Sequence, residues 1–282
     1  MLYDTLYSGP KNDRKMKSNW LYDVGAFWVV AGLVAVMLLA FELAYWAGRR
    51  WHADTPNAGR EVFVAIKVSV LGLLALLLAF AFGMAADRYA ERQRLVMNEA
   101  ITLHSVLLHS SLLPEPARSE FQKWFRQLVD ARLAFFDARQ NLVAVEEALE
   151  RTEKLHSQLW GLVRNEALRN PAMPGVEGMM RSLNEEWSLH RQRVHAFENR
   201  VPEAVIVLLF CGAVLALAAV GFAGGIANHR GAAGKWLLAV LLGGTIFIIL
   251  DLDRPRRGVF EISQEPIMHL KQLLDRHPEA GQ

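Results

Sequence analysis

One cysteine in 282 residues, Cys211, excludes an intrachain disulfide and any paired-thiol metal or redox site. It lies inside a long apolar run, where a small side chain serves helix packing. The patterns that carry common enzyme chemistry are also missing. There is no His-Glu-x-x-His, no Walker loop and no dinucleotide glycine fingerprint. Nine histidines are present, but His104/His109 and His190/His195 are each five residues apart, which puts the two members on different helix faces. No enzyme, metal site or cofactor is expected. A charge of one sign is lacking as well: 31 basic against 29 acidic residues leave a net charge of +2, with no basic nucleic-acid motif, so nucleic acid is not an expected partner.

Charge itself is missing from four stretches: Val24–Phe41, Val68–Ala86, Ala204–Ala227 and Trp236–Leu250. The first three reach the roughly 18 residues that a helix needs to cross a ~30 Å hydrocarbon core. The fourth is shorter, with Lys235 at one end, whose stem can snorkel outward, and Asp251 at the other. Between the second and third runs lie residues 87–200, with sixteen Lys/Arg and sixteen Asp/Glu. The expected fold is an all-α integral membrane protein: four transmembrane helices in a two-plus-two arrangement, with a cytoplasmic helical domain between spans two and three. The expected divisions are an N-terminal segment 1–23, a transmembrane hairpin 24–86, the helical domain 87–200, a second hairpin 201–250 and a C-terminal segment 251–282. The lipid bilayer is the first partner this implies. Residues 1–23 show no cleavage pattern, so the first run is expected to stay as an anchor.

Orientation follows from basic residues near the span ends. Thirteen lie on one side, in residues 11–17, 88–94, 191–200 and 254–257, and five on the other: Arg49, Arg50, Arg60, Arg230 and Lys235. This bias predicts both termini and the inserted domain in the cytoplasm. Glu42 and Lys67, each about one turn inside a span end, are expected to pair, because lone charges there are costly.

In the inserted domain the first helix should continue from the second span without a break, since no Gly or Pro lies between Met84 and Pro114. Pro116 suits the first turn of a second helix, whose spacing (Phe121, Phe125, Leu128, then Leu142, Val145, Leu149) carries it to a turn at Asn170–Gly175. The third helix bears a heptad seam: Val176, Met180, Leu183, Trp187, His190, Val194, Phe197 and Val201. His190 is the polar member of that seam, readable as a pH-sensitive switch or as a histidine satisfied by a neighbour. Glu99, beside Val96, Ala100 and Leu103, is a second buried polar candidate that needs a partner. Gly221, Gly224 and Gly225, with Gly212 and Ala216, read as close-packing positions of the third span.

Three stretches carry a resemblance: Asn98-Glu99-Ala100 followed by Leu112-Leu113-Pro114; Arg200-Val201-Pro202; and the run Asp251-Leu252-Asp253-Arg254-Pro255-Arg256-Arg257-Gly258. In that order, with the span layout, the chain resembles the bacterial bestrophin-like membrane proteins over about residues 25–275. The resemblance implies an oligomeric chloride-type anion channel of the bacterial inner membrane, a homo-oligomer and by family a pentamer, whose second span lines an apolar neck. It implies Asp251, Asp253, Arg254, Pro255 and Gly258 as family-motif residues. The dense acidic run that binds calcium in bestrophins is reduced here to Asp251 and Asp253, too few oxygens for a calcium clasp. On the second span Lys67, Leu71, Leu74, Leu78 and Phe82 share one face and are the candidate pore-lining residues, with Leu74, Leu78 and Phe82 as an apolar ring stack. The same stripe can equally be a packed face. Two functions therefore stay open: an ion channel, and a non-conducting scaffold or sensor that binds a partner through its helical domain.

Overall fold

The computed structural model describes residues 25–51, 57–138, 141–199, 201–229, 232–254 and 259–276. Among them every regular element is a helix: α1 (Ala26–Trp51), α2 (Asn57–Ser110), α3 (Ala117–Asp137), α4 (Leu142–Arg169), α5 (Val176–Glu198), α6 (Glu203–Ile226), α7 (Ala232–Leu252) and α8 (Glu265–Arg276). Four of them, α1, α2, α6 and α7, are long and apolar enough to cross a membrane. The N-terminal segment 1–23 lies outside the described residues.

Two apolar cores form. One joins the four spans around Met37, Phe41, Leu74, Ala213, Leu217 and Ile246. The other joins α2, α3, α4, α5 and α8 around Leu103, Phe121, Phe125, Leu159, Leu183 and Ile267. Tyr89 packs against both and marks the seam between them. Within the span core α1 and α6 touch at their backbones, because glycine removes the side chains between them. A Cβ at Gly221 would fall 2.3 Å from the carbonyl oxygen of Phe41, and one at Gly225 would fall 2.2 Å from that of Tyr45. Small residues four apart permit such an approach in a membrane helix pair.

Glu42 of α1 forms its ion pair with Lys235 of α7, not with Lys67. The Lys235 ammonium also lies 5.5 Å from the Phe41 ring centroid, so Lys235 is turned into the bundle rather than snorkelling away from it. Reversing either charge alone should lower protein yield, and the double reversal Glu42→Lys with Lys235→Glu should restore it. Additive losses, measured as detergent-extracted protein, would remove the pair from the account.

Helix α2 is one uninterrupted rod of 54 residues, about 81 Å long, so its charged half projects well past the apolar run that ends at Ala86. The next expected helix divides into two. It breaks after Asp137, and the Asn141 side chain caps the new start by accepting from the Ala144 N–H at 3.2 Å. Helices α3 and α4 fold back as a hairpin, which lets α4 pack against α3 and α5. In α5 the buried line is Met179, Leu183, Glu186, His190, Arg193 and Phe197. The expected seam is thus rotated slightly: Met180, Trp187 and Val194 become half-buried flanks, and two charged residues enter the centre. The C-terminal segment contributes α8, whose Ile267, Leu270 and Leu274 are buried against the domain.

Candidate functional site

The apolar half of α2 has two unlike faces. Leu74 and Leu78 are only 2% and 7% exposed, packed into the chain's own span core. Leu74 fits there because Gly212 of α6 leaves room; a Cβ at that glycine would sit 3.1 Å from Leu74 Cδ1. Lys67 and Leu71 are half-buried on the same side, and Phe82 is exposed at its flank. A neck built from Leu74 and Leu78 would therefore have to open the subunit's own packing. Two residues further along, hence ~200° around the helix, Leu76 and Phe80 are 52% and 65% exposed. Ser69 is exposed on that outer face too, its hydroxyl donating to the Ala65 carbonyl at 2.9 Å. In the charged half of the rod the same face continues with Met97, Ile101 and Leu108, all exposed.

The motif stretches converge where the spans meet the inserted domain. Arg92 of α2 is buried and donates to four backbone carbonyls: Ala196 at 3.0 Å, Asn199 at 2.8 Å, Leu252 at 3.2 Å and Asp253 at 3.4 Å. Its guanidinium lies 4.0 Å from the Asp253 carboxylate. Asp253 in turn accepts from the Val201 N–H at 3.0 and 3.1 Å, holding the turn from α5 into α6. Asp251 accepts from the N–H groups of Val259 and Phe260 at 2.8 and 3.0 Å. Both carboxylates are thus engaged by backbone donors, and Arg254 is buried beside them. Pro255 and Gly258 lie outside the described residues. Among the described residues no cluster of three metal-ligating side chains occurs.

Deeper in the domain, Glu99 of α2 sits at the centre of a buried charge network. It meets Arg193 of α5 at 2.5 Å, Arg132 of α3 at 3.2 Å and the His190 Nδ1 at 3.4 Å. Arg132 continues to Glu186, and Arg193 donates to Gln264 ahead of α8 at 2.5 Å. His156 of α4 closes the set, stacked on Trp187 with ring centroids 4.4 Å apart. Burial alone would raise the Glu99 pKa, but Arg193, His190 and Arg132 together hold it well below the usual carboxylate range. Burial raises the Glu186 pKa despite Arg132. Burial, reinforced by Arg132, lowers His190 to about 3 and His156 to about 4.

These shifts set a pH dependence. The two histidines are neutral in the fold and protonate in the unfolded chain near pH 6.5. The stability they contribute is complete above that pH and is lost as pH falls toward about 4 for His156 and about 3 for His190. Glu99 acts in the same sense below its unfolded value of 4.5, and Glu186, raised, in the opposite sense. The domain should therefore lose thermal stability on acidification from pH 6.5 to 4, by up to about 1.4 kcal/mol per pH unit for each histidine. The double variant His156→Gln, His190→Gln should flatten that slope. An unchanged slope would place its origin elsewhere.

A family model for the bestrophin-like domain matches residues 31–267. The chain belongs to the bestrophin-like family. The fold agrees with solved relatives. A bacterial bestrophin homologue from Klebsiella pneumoniae, solved as a point mutant, superposes with a TM-score of 0.65 at 14% identity, covering 89% of this chain and 100% of that one. A second solved membrane protein gives a TM-score of 0.63 at 13% identity, covering 91% and 98%. None of the curated proteins matches the sequence.

In this bestrophin-like chain, Glu99 and His190 are brought together, and Asp253 meets Val201 from another motif stretch. The Lys67–Phe82 stripe is not brought into a free surface as a unit. Sequence reasoning missed Arg132 and Arg193 as partners of Glu99, and Glu186 as the second carboxylate on Arg132. A signal existed for Glu186 and Arg193: with His190 they stand at i, i+4 and i+7, one polar stripe on an amphipathic helix.

Proposed function

We propose that this bestrophin-like protein is one subunit of an oligomeric ion channel of anion type, in which α2 of each copy turns its outer face to a shared axis and Leu76 and Phe80 form an apolar neck. The observation that carries this is the exposed apolar face of α2 that runs from Leu76 and Phe80 into the charged half of the rod. Inside lipid, exposed Leu76 and Phe80 need no cover. Met97, Ile101 and Leu108 stand on the same face in the charged half of the rod, where three aligned large apolar side chains call for a partner. Further copies of the chain, placed by rotational symmetry, meet that demand with one repeated contact. The family is known for channels rather than enzymes, which supports the reading. Five copies is the number the bestrophin likeness implies. The bias of basic residues supports a cell-membrane location with the inserted domain and both termini in the cytoplasm.

In this reading Asp251, Asp253 and Arg92 fix the angle between spans and domain, and take no part in ion passage. The scaffold reading draws on the same stripe, with Met97, Ile101 and Leu108 docking a different protein. Single cysteines in a Cys211→Ser background separate the two. In proteoliposomes, Leu76→Cys should react with a water-soluble methanethiosulfonate and lose flux, while Leu74→Cys should stay inert. Reaction at Leu74→Cys with none at Leu76→Cys would overturn the assigned face, and no flux from any folded variant would favour the scaffold.

A further inference from the structure

An apolar cleft of about 570 Å³ opens on the flank of the span bundle between α2 and α6. Leu73 and Leu77 form one wall, Leu208 and Leu215 the other, and Gly212 and Ala219 lie along its floor. The hollow exists because α6 presents small residues where α2 presents leucines. Its membrane depth limits what can fill it. The middle of the cleft lies within the uncharged runs Val68–Ala86 and Ala204–Ala227, so its mouth faces hydrocarbon rather than water.

Length and closure narrow the occupant further. Along α2 the lining extends from Phe63 to Leu77, which at 1.5 Å per residue is about 21 Å. One half of a ~30 Å hydrocarbon core is ~15 Å, so the cleft runs from the interface nearest the α1–α2 connection to about mid-membrane. At the interface end the Phe222 ring stands between Phe63 and Trp51, with centroids 5.0 and 5.9 Å away. Aromatic rings favour headgroup level, and α1 ends there with Arg49 and Arg50, cations for a phosphate. A second helix, 10–12 Å across, is too wide to enter a space of this volume; a single extended hydrocarbon chain is not.

We propose that the α2–α6 cleft binds one acyl chain of a phospholipid whose headgroup rests at the level of Trp51 and the arginines that end α1. The cleft is centred beside the face of α2 that carries Leu76 and Phe80, and Leu73, seven residues before Phe80, lies on the edge the two share. A lipid wedged there bridges the second and third spans, which continue into α2's charged rod and follow α5 respectively, so its occupancy bears on how the spans hold the helical domain.

Native mass spectrometry of the purified oligomer tests retention directly. The unmodified protein should keep one phospholipid per subunit through detergent washing, and Ala219→Phe, which fills the floor, should cut that at least five-fold. Cys211 provides a second readout without altering the cleft, because it is exposed and lines it. Once the bound lipid has been stripped by exchange into a harsher detergent, its rate of reaction with N-ethylmaleimide should fall at least five-fold on adding dioleoylphosphatidylglycerol. The rate should not fall so for a cysteine placed at lipid-facing Leu237 in a Cys211→Ser background. Equal slowing at both positions, or unmodified protein free of lipid, would overturn the proposal. A Cys211–Cys211 cross-link between subunits would also overturn it, by giving the cleft to a second copy. Should Ala219→Phe fail to fold, the Cys211 rates on the unmodified chain decide.

Discussion

Replacing Leu76 and Phe80 together with alanine should raise ion flux through proteoliposomes several-fold while leaving the oligomer's size in detergent unchanged. An apolar constriction blocks ions by excluding water, and smaller side chains let water enter. Both residues are exposed on the single subunit, so the change removes no packing that holds the subunit together. The contrasting pair is Leu74 and Leu78, buried in the span core. Their replacement by alanine should cost about 2–5 kcal/mol each in stability and lower oligomer yield without raising flux. If Leu74 and Leu78 alter flux and Leu76 and Phe80 do not, the neck lies on the packed side of α2.

The largest effect on stability is expected from Glu99→Gln. That substitution removes the negative charge between Arg193 and Arg132, both fully enclosed. Breaking a buried pair from one side leaves a charge without compensation and costs about 3–5 kcal/mol. Arg132 keeps Glu186, so Arg193 is the guanidinium that loses its carboxylate, and that range applies to it. Thermal inactivation of the oligomer, followed by size-exclusion chromatography after heating, should shift far down for Glu99→Gln. Glu177→Gln breaks the exposed pair with Arg181 on the domain surface and should shift it little. Equal shifts would mean that the Glu99 network adds nothing beyond an ordinary surface contact.

How far the sequence could be read depended on what each residue's neighbours in the chain could reveal. The four apolar helices follow from runs without charge, and the length of α2 from the absence of glycine and proline between Met84 and Pro114. The face of α2 did not follow. In the run Leu71–Phe82 nearly every residue is apolar, and a helix that is apolar all round carries no signal of which side is packed. The break before α4 was masked because Leu142 and Val145 continue the spacing of Phe125 and Leu128. Asn141, a good N-cap residue, was the only local mark of a new start. Glu99 stood out as a carboxylate on an apolar face, yet its partners Arg132 and Arg193 come from two other helices. Local periodicity cannot report such pairings. The same holds for Glu42, whose partner Lys235 lies on the last span rather than the adjacent one.

Current across a planar bilayer containing the purified, unmodified oligomer tests the channel account most directly. The account predicts discrete conductance steps that persist in chloride salts of large organic cations and grow in the Leu76→Ala, Phe80→Ala variant. A monodisperse oligomer that leaves the bilayer at its protein-free baseline, with and without the alanine substitutions, would contradict it.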